Sequence, residues 1–214
     1  MKLAPSALLI ATLFTVVALA RCSYRDASKT ETNELQSTDG SRPYNITFER
    51  TACFGTCPIF ELMIDYTGDV RLHVPGFEDL PSDERRRGIM IFATRLAPKR
   101  HADLSRRFDT GGFRKLKLYY SVPMTDGPTT RITVDSLQGQ WYTEVYLMPC
   151  ASERTDWAEE IRRTTDGQEA VPDIFCELST ELDDIACDAY LRGERLGPAD
   201  NLKPFRPPHC RSPQ

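Results

Sequence analysis

Histidine is scarce in this chain: His73, His101 and His209 are the only three. No His-Glu-x-x-His pair, serine nucleophile elbow, phosphate-cradling glycine loop or calcium loop occurs. The sequence also lacks an internal repeat and any strand–helix–strand rhythm, which removes solenoids and parallel α/β folds from consideration. An excess of positive charge is missing too. The formal net charge is −4, and loss of Lys2 with a leader makes the remainder more acidic, which excludes a general nucleic-acid binder.

What is present begins with a leader. Lys2 gives a short positive start, no charge follows from Leu3 to Ala20, and Ala18-Leu19-Ala20 supplies a small-x-small cleavage pattern. Residues 1–20 are therefore expected to be a signal peptide cut after Ala20, and the protein is expected to be exported to the periplasm or secreted. Two competing readings are weaker. Cys22 stands where a lipoprotein cysteine would, but Arg21 precedes it where a small residue is needed. The apolar run is also long enough to remain as a membrane anchor.

Residues 21–43 are polar and lack apolar periodicity, so they read as a flexible linker. Residues 197–214 contain five prolines and are expected to form an irregular tail without regular elements. That leaves residues 44–196 as a single domain.

Period-two alternation marks strands at Tyr44, Ile46 and Phe48, at Phe60, Leu62, Ile64 and Tyr66, and at Val70, Leu72 and Val74. Thr67-Gly68-Asp69 supplies a hairpin turn between the last two. Residues 89–94 read as a fourth strand, and residues 130–134 and 141–147 as another antiparallel pair. Two stretches change period. Residues 98–107 place His101, Leu104 and Phe108 on one helical face, with Pro98 at the start and Gly111-Gly112 at the stop. Residues 171–191 carry the longest apolar stripe, including Phe175, Leu178, Leu182 and Ile185. The expected fold is α+β: an antiparallel sheet with two main helices on one face, stabilised by disulfides.

Charge is uneven. Residues 83–117 hold eleven basic and four acidic side chains, and residues 151–200 hold five basic and fourteen acidic ones. The plain reading is a basic helix and an acidic helix that neutralise each other side by side. The functional reading is a basic patch for an anionic envelope component. Asp183-Asp184 and Glu177/Glu181 are read as a solvated acidic face.

Seven cysteines in an exported chain most simply make a disulfide framework. Cys22 falls in the linker, which leaves Cys53, Cys57, Cys150, Cys176, Cys187 and Cys210. Cys53 and Cys57 flank Gly55 between two strands, close enough to bridge a tight loop. Cys176 and Cys187 are separated by about 16 Å along a continuous helix and cannot bridge each other. Each must pair with Cys150 or Cys210. The local pairings Cys150–Cys176 and Cys187–Cys210 are favoured, and the swapped pairing stays open. Cys53/Cys57 could instead be redox-active, although three residues separate them and no helix N-terminus is expected nearby to lower a thiol pKa. A structural zinc site needs four ligands, and an oxidising compartment disfavours keeping four thiolates.

The run Arg50-Thr51-Ala52-Cys53-Phe54-Gly55-Thr56-Cys57-Pro58, followed by an apolar strand and the Thr67-Gly68-Asp69-Val70 turn, resembles an uncharacterised bacterial family, domain of unknown function 6438. Phe113 and Leu116 with Tyr119 and Tyr120, the Thr125-Asp126-Gly127-Pro128-Thr129 segment, and Pro172 with Phe175 and Leu178 extend the likeness. It spans about residues 46–190 and departs in residues 151–170 and in the four later cysteines. The resemblance implies an exported or lipid-anchored domain and names no activity.

Few residues qualify as sites of chemistry. His101 is read as a packed helix residue, His73 as facing the sheet's polar side, and His209 as a tail residue poorly placed for catalysis. Asp126, ahead of Gly127-Pro128, is read as a turn cap, or else as a carboxylate at a cleft. Gly55, Pro58 and Asp126 are the candidate functional residues. No catalytic set is assembled, and no metal or cofactor is implied. The favoured function is a non-catalytic binding or structural domain whose partner is an envelope protein or an anionic envelope component. The alternatives are a thiol–disulfide protein using Cys53/Cys57, and an enzyme on envelope polymers with Asp126 at its site.

Overall fold

The computed structural model describes residues 44–53, 57–78, 87–123, 125, 127–152, 154–165, 170–197, 202–205 and 207–210. The expected leader and linker, Cys22, Gly55 and Asp126 lie outside the described residues. Nine strands are described: β1 (Asn45–Arg50), β2 (Phe60–Ile64), β3 (Asp69–Glu78), β4 (Arg87–Arg95), β5 (Tyr119–Ser121), β6 (Thr129–Ser136), β7 (Gly139–Tyr146), β8 (Glu194–Leu196) and β9 (Leu202–Pro204). Three α-helices accompany them, α1 (Pro98–Thr110), α2 (Asp156–Thr164) and α3 (Asp173–Arg192), with a 3-10 turn at Phe113–Lys115.

All the strands join one sheet in the order β5-β7-β6-β1-β2-β3-β4-β8, with β9 added to β3. The alternation seen in the sequence becomes rows across the sheet. Ile132, Phe48, Leu62, Leu72 and Phe92 stand opposite one another on five successive strands, and Val134, Ile46, Ile64 and Val70 form the next row. Each of these side chains is buried. A one-residue slip would turn a whole row to the other face, so the pattern fixes the register.

The helices cover this face. Leu104 and Phe108 of α1 join the same core as Phe175, Leu178, Leu182 and Ile185 of α3. The opposite face is polar. There Glu144, Arg131, Glu49, Glu61 and His73 form a row, with Arg131 shared between Glu49 and Glu144, and His73 Nδ1 3.0 Å from Glu61 Oε2. The two adjacent glutamates thus each have a bonding partner on the far side.

The β2–β3 turn forms as its sequence suggests. Gly68 adopts φ 84°, and the Asp65 carboxylate accepts from the backbone N–H of Thr67 at 2.8 Å and of Asp69 at 3.0 Å. His101 packs over this turn, its ring 3.3 Å from where a Gly68 side chain would begin. Burial lowers the His101 pKa and favours the neutral ring.

Two expectations are corrected. The sheet is mixed, because β5 pairs parallel with β7 while the other pairs are antiparallel. The chain leaves β5, skips one position to form β6, and the β6–β7 hairpin then returns β7 into the gap, where it must run with β5. The segment expected to contain no regular element also contributes β9. Leu202–Pro204 pairs with Gly76–Glu78, where β3 extends past the end of β2. Pro204 is tolerated because it faces Gly76 as a non-hydrogen-bonded pair, so its missing N–H leaves the ladder intact, and the next residue, Phe205, donates its backbone N–H to the Pro75 carbonyl at 2.7 Å. Residues 151–170, expected as an insertion, contain α2. Thr155 caps it by accepting from the Ala158 N–H.

Cys53–Cys57, Cys150–Cys176 and Cys187–Cys210 stand at disulfide distance, with Cα separations of 5.6, 6.2 and 5.3 Å. The first closes the β1–β2 connection. The other two fasten α3 to the segments before it and after it.

Gly193 lets α3 pass directly into β8. A β-carbon there would collide with the Ala189 carbonyl oxygen in the last turn of α3 and lie 2.9 Å from the Ala93 carbonyl oxygen, where β8 meets β4. Gly193→Ala is expected to destabilise by about 1–3 kcal/mol through this overpacking. Urea denaturation checks it, and an unchanged midpoint would show that the approach of β8 to β4 is slack.

Candidate functional site

Arg50 occupies a core-facing slot. It is the last residue of β1, continues the buried Ile46 and Phe48 positions, and stands opposite Thr130 on β6 and Phe60 on β2. A guanidinium in such a row must find acceptors or raise the energy of the fold. It finds three. Nη1 donates to Thr130 Oγ1 at 2.7 Å and Nη2 to Ser179 Oγ at 3.1 Å. Nε and Nη2 together grip the two carboxylate oxygens of Asp183, the Nε bond measuring 3.3 Å. The guanidinium carbon also lies 5.2 Å from the centre of the Phe48 ring. One side chain therefore ties two strands to α3.

Asp183 was read as part of a solvated face, and this is corrected. Its side chain is 35% exposed and engaged by Arg50. Burial raises the Asp183 carboxyl above its ordinary value against the pull of Arg50, and nearby Asp184 pushes the same way as burial. Glu177 and Glu181 are likewise engaged. Arg107 of α1 bonds both of them, and Arg100 donates to Asp188 at 2.9 Å. The basic helix and the acidic helix thus lie side by side and neutralise each other.

A cleft of about 770 Å³ opens beyond the Arg50–Asp183 pair. One wall is the outer face of α3, where Thr180, Asp183, Asp184, Cys187, Asp188 and Leu191 recur at three- and four-residue spacing. The opposing walls carry Arg50, Pro58 and Arg100, and Pro208 with His209 close a third side. Pro208 is buried and His209 exposed, held there by the adjoining Cys187–Cys210 link. A smaller groove of about 310 Å³ lies on the polar face, bordered by Glu49, Glu61, His73, Ile59 and Ile89.

Of the candidate residues, Pro58 reaches the cleft, whereas Gly55 and Asp126 lie outside the described residues. Arg50, part of the cysteine motif, and His209, expected in an irregular tail, both line the cleft, and nothing local to either residue signals that role. A second polar cluster surrounds the buried Tyr44, whose hydroxyl donates to Asp109 and accepts from Arg114, which stacks 4.3 Å from the Trp141 ring centre. Among the described residues, no group of three or more His, Cys, Asp or Glu side chains is arranged to hold a metal ion. No described helix is long and apolar enough to cross a membrane.

Arg50→Ala leaves Asp183 in place without its counter-charge. A loss of about 1–3 kcal/mol is expected at neutral pH, below the cost of breaking a fully buried pair because both side chains keep partial exposure. The folded-state pKa of Asp183 lies above its unfolded value, and removing Arg50 raises it further. Protonation then favours folding, so the variant should regain stability relative to wild type as pH falls towards that raised pKa. Urea midpoints at pH 7 and pH 5 read this directly. An equal loss at both values would mean that Asp183 is not the partner that matters.

No curated protein matches the chain. A family match covers residues 44–165, more than half of the chain, and ends short of the residue 190 expected from the resemblance. The Arg50, Pro58 and Arg100 side of the cleft falls inside the matched stretch, whereas α3 and the tail lie beyond it. By that match, the chain belongs to the family described as Domain of unknown function (DUF6438).

Proposed function

We propose that this protein is an exported, disulfide-stabilised, non-catalytic domain that binds a partner in the cleft between the end of β1 and α3. The observation that carries the reading is the Cys187–Cys210 pair. It fastens the segment bearing Pro208 and His209 as a wall of the cleft. A crosslink in that position persists in an oxidising compartment and would be lost in a reducing one. The leader expected at residues 1–20 agrees with that destination, and two further cysteine pairs at bonding distance support it.

The volume of about 770 Å³ falls within the range of ligand-binding clefts. Its walls are fixed by ion pairs and crosslinks before any ligand arrives, which lowers the ordering cost of binding. The partner belongs to the cell envelope: a protein, or a component of its polymers. Cys53 and Cys57 serve as a brace for the β1–β2 connection in this reading. They lie between two strands, away from the helix N-terminus that a reactive thiol ordinarily exploits.

Non-reducing peptide mapping of the natively produced protein tests the reading. The expected map joins Cys53 to Cys57, Cys150 to Cys176 and Cys187 to Cys210, on a chain beginning at Arg21. Recovery from the cytosol with free thiols would defeat it. Changing Cys187 and Cys210 together to serine should lower stability by about 3 kcal/mol, from the entropy of the loop released, and should weaken retention of the protein by its own envelope fraction. Unchanged retention would remove the tail wall from the binding reading.

A further inference from the structure

The charges that line the cleft are not equally occupied. Asp183 is held by Arg50, and Asp188 by Arg100. Asp184 is exposed and has no ion-pair or hydrogen-bond partner among the described residues. Arg192 is 71% exposed, and its nearest carboxylate, on Asp188, is 3.9 Å away, beyond hydrogen-bond reach. Between these two along α3 stands Leu191, an aliphatic side chain left 53% exposed. Pro58 and Pro208 line the same cleft.

The cleft therefore offers one uncommitted carboxylate, one loosely held guanidinium and an apolar stretch shared by three elements. Asp184 and Arg192 are separated by about 12 Å along the helix axis at the usual rise per residue. An extended peptide of three or four residues spans about that length. We infer, building on the binding reading above, that the cleft takes a short peptide with free ends, its ammonium group at Asp184, its carboxylate at Arg192, and its small apolar side chains against Leu191, Pro58 and Pro208. A guanidinium suits that role because its planar fork matches a carboxylate in two parallel hydrogen bonds. Arg50 holds Asp183, and Arg100 holds Asp188 at 2.9 Å, a shorter contact than the 3.9 Å from Asp188 to Arg192 that a ligand carboxylate would displace.

The test is a titration of the oxidised, leader-free protein with tetra-alanine, followed by amide resonances. Four probes are compared: free tetra-alanine, its N-acetyl form, its C-amide form and the doubly blocked form. Free tetra-alanine is expected to shift the resonances of Asp184, Leu191 and Arg192, and blocking either end should weaken binding about tenfold. In D184N the penalty for N-acetylation should vanish while the penalty for C-amidation remains. R192Q should show the reverse. Both substitutions are at exposed positions outside the core, so the fold serves as its own control through the unshifted core resonances.

Equal binding of free and doubly blocked peptides overturns the inference, as does no response of the cleft to any of the four. The envelope-retention measurement separates the two levels. Retention that still depends on the Cys187–Cys210 wall, with no response to peptides, removes this ligand class and leaves the binding cleft standing. Retention indifferent to that wall, together with silent peptides, removes both.

Discussion

The Arg50 guanidinium is the point on which the architecture turns. A sheet with one apolar face and a helix with one apolar stripe will associate by burial alone, but burial is non-directional and leaves the helix free to slide. Arg50 removes that freedom. It stands at a core-facing position of β1 and bonds Thr130, Ser179 and Asp183, so the relative placement of β1, β6 and α3 is set by hydrogen-bond geometry. An ammonium also has three donors, but they radiate from one atom, whereas the planar fork spreads its donors widely enough to grip both Asp183 oxygens and reach Thr130 and Ser179 together.

The crosslinks complete what this side chain begins. Cys150–Cys176 ties the early part of α3 to the loop before it, Arg50–Asp183 holds its middle, and Cys187–Cys210 ties its later part to the tail. Arg107 and Arg100 add lateral contacts to α1 along the same helix. These exposed ion pairs contribute little energy individually. Their effect is on alignment, since each matches a basic position on α1 with an acidic one on α3. Of the basic residues in the segregated stretch, Arg100 and Arg107 are spent in this contact, while Arg95 and Arg114 pair with Asp69 and Asp109 elsewhere.

Much of the fold could be read from the residues, because its central strands obey one simple rule. Phe48, Leu62 and Leu72 occupy alternate positions and end in one buried row. The elements that escaped notice obey no such rule. β5, β8 and β9 are three residues each, too short to show a period, and owe their conformation to the strands they pair with. α2 spans only nine residues and buries Ala158 and Ile161 among its described side chains, so its apolar pattern repeats too few times to stand out, although Thr155 was available as a cap signal. The site was legible in halves. Arg50 and Pro58 could be quoted as a motif, but Arg50 and Asp183 are separated by 133 positions, and nothing local to either announces the other.

That division has a consequence for how the cleft works. One side belongs to the stretch that carries the family match, and the other is built by α3 and the crosslinked tail beyond it. The family stretch supplies fixed features: a strand end, a braced loop and a guanidinium already committed to holding the helix. The unpaired Asp184 and the loosely held Arg192 both lie on α3. In the proposed binding reading, a half that positions and a second half that presents exposed charges would let specificity change without disturbing the core, because most residues that would face a ligand are not those that hold the sheet together. Arg50 is the exception, since it lines the cleft and secures the fold together. Its place in the motif is explained as fully by the need to anchor a helix as by any contact with a ligand.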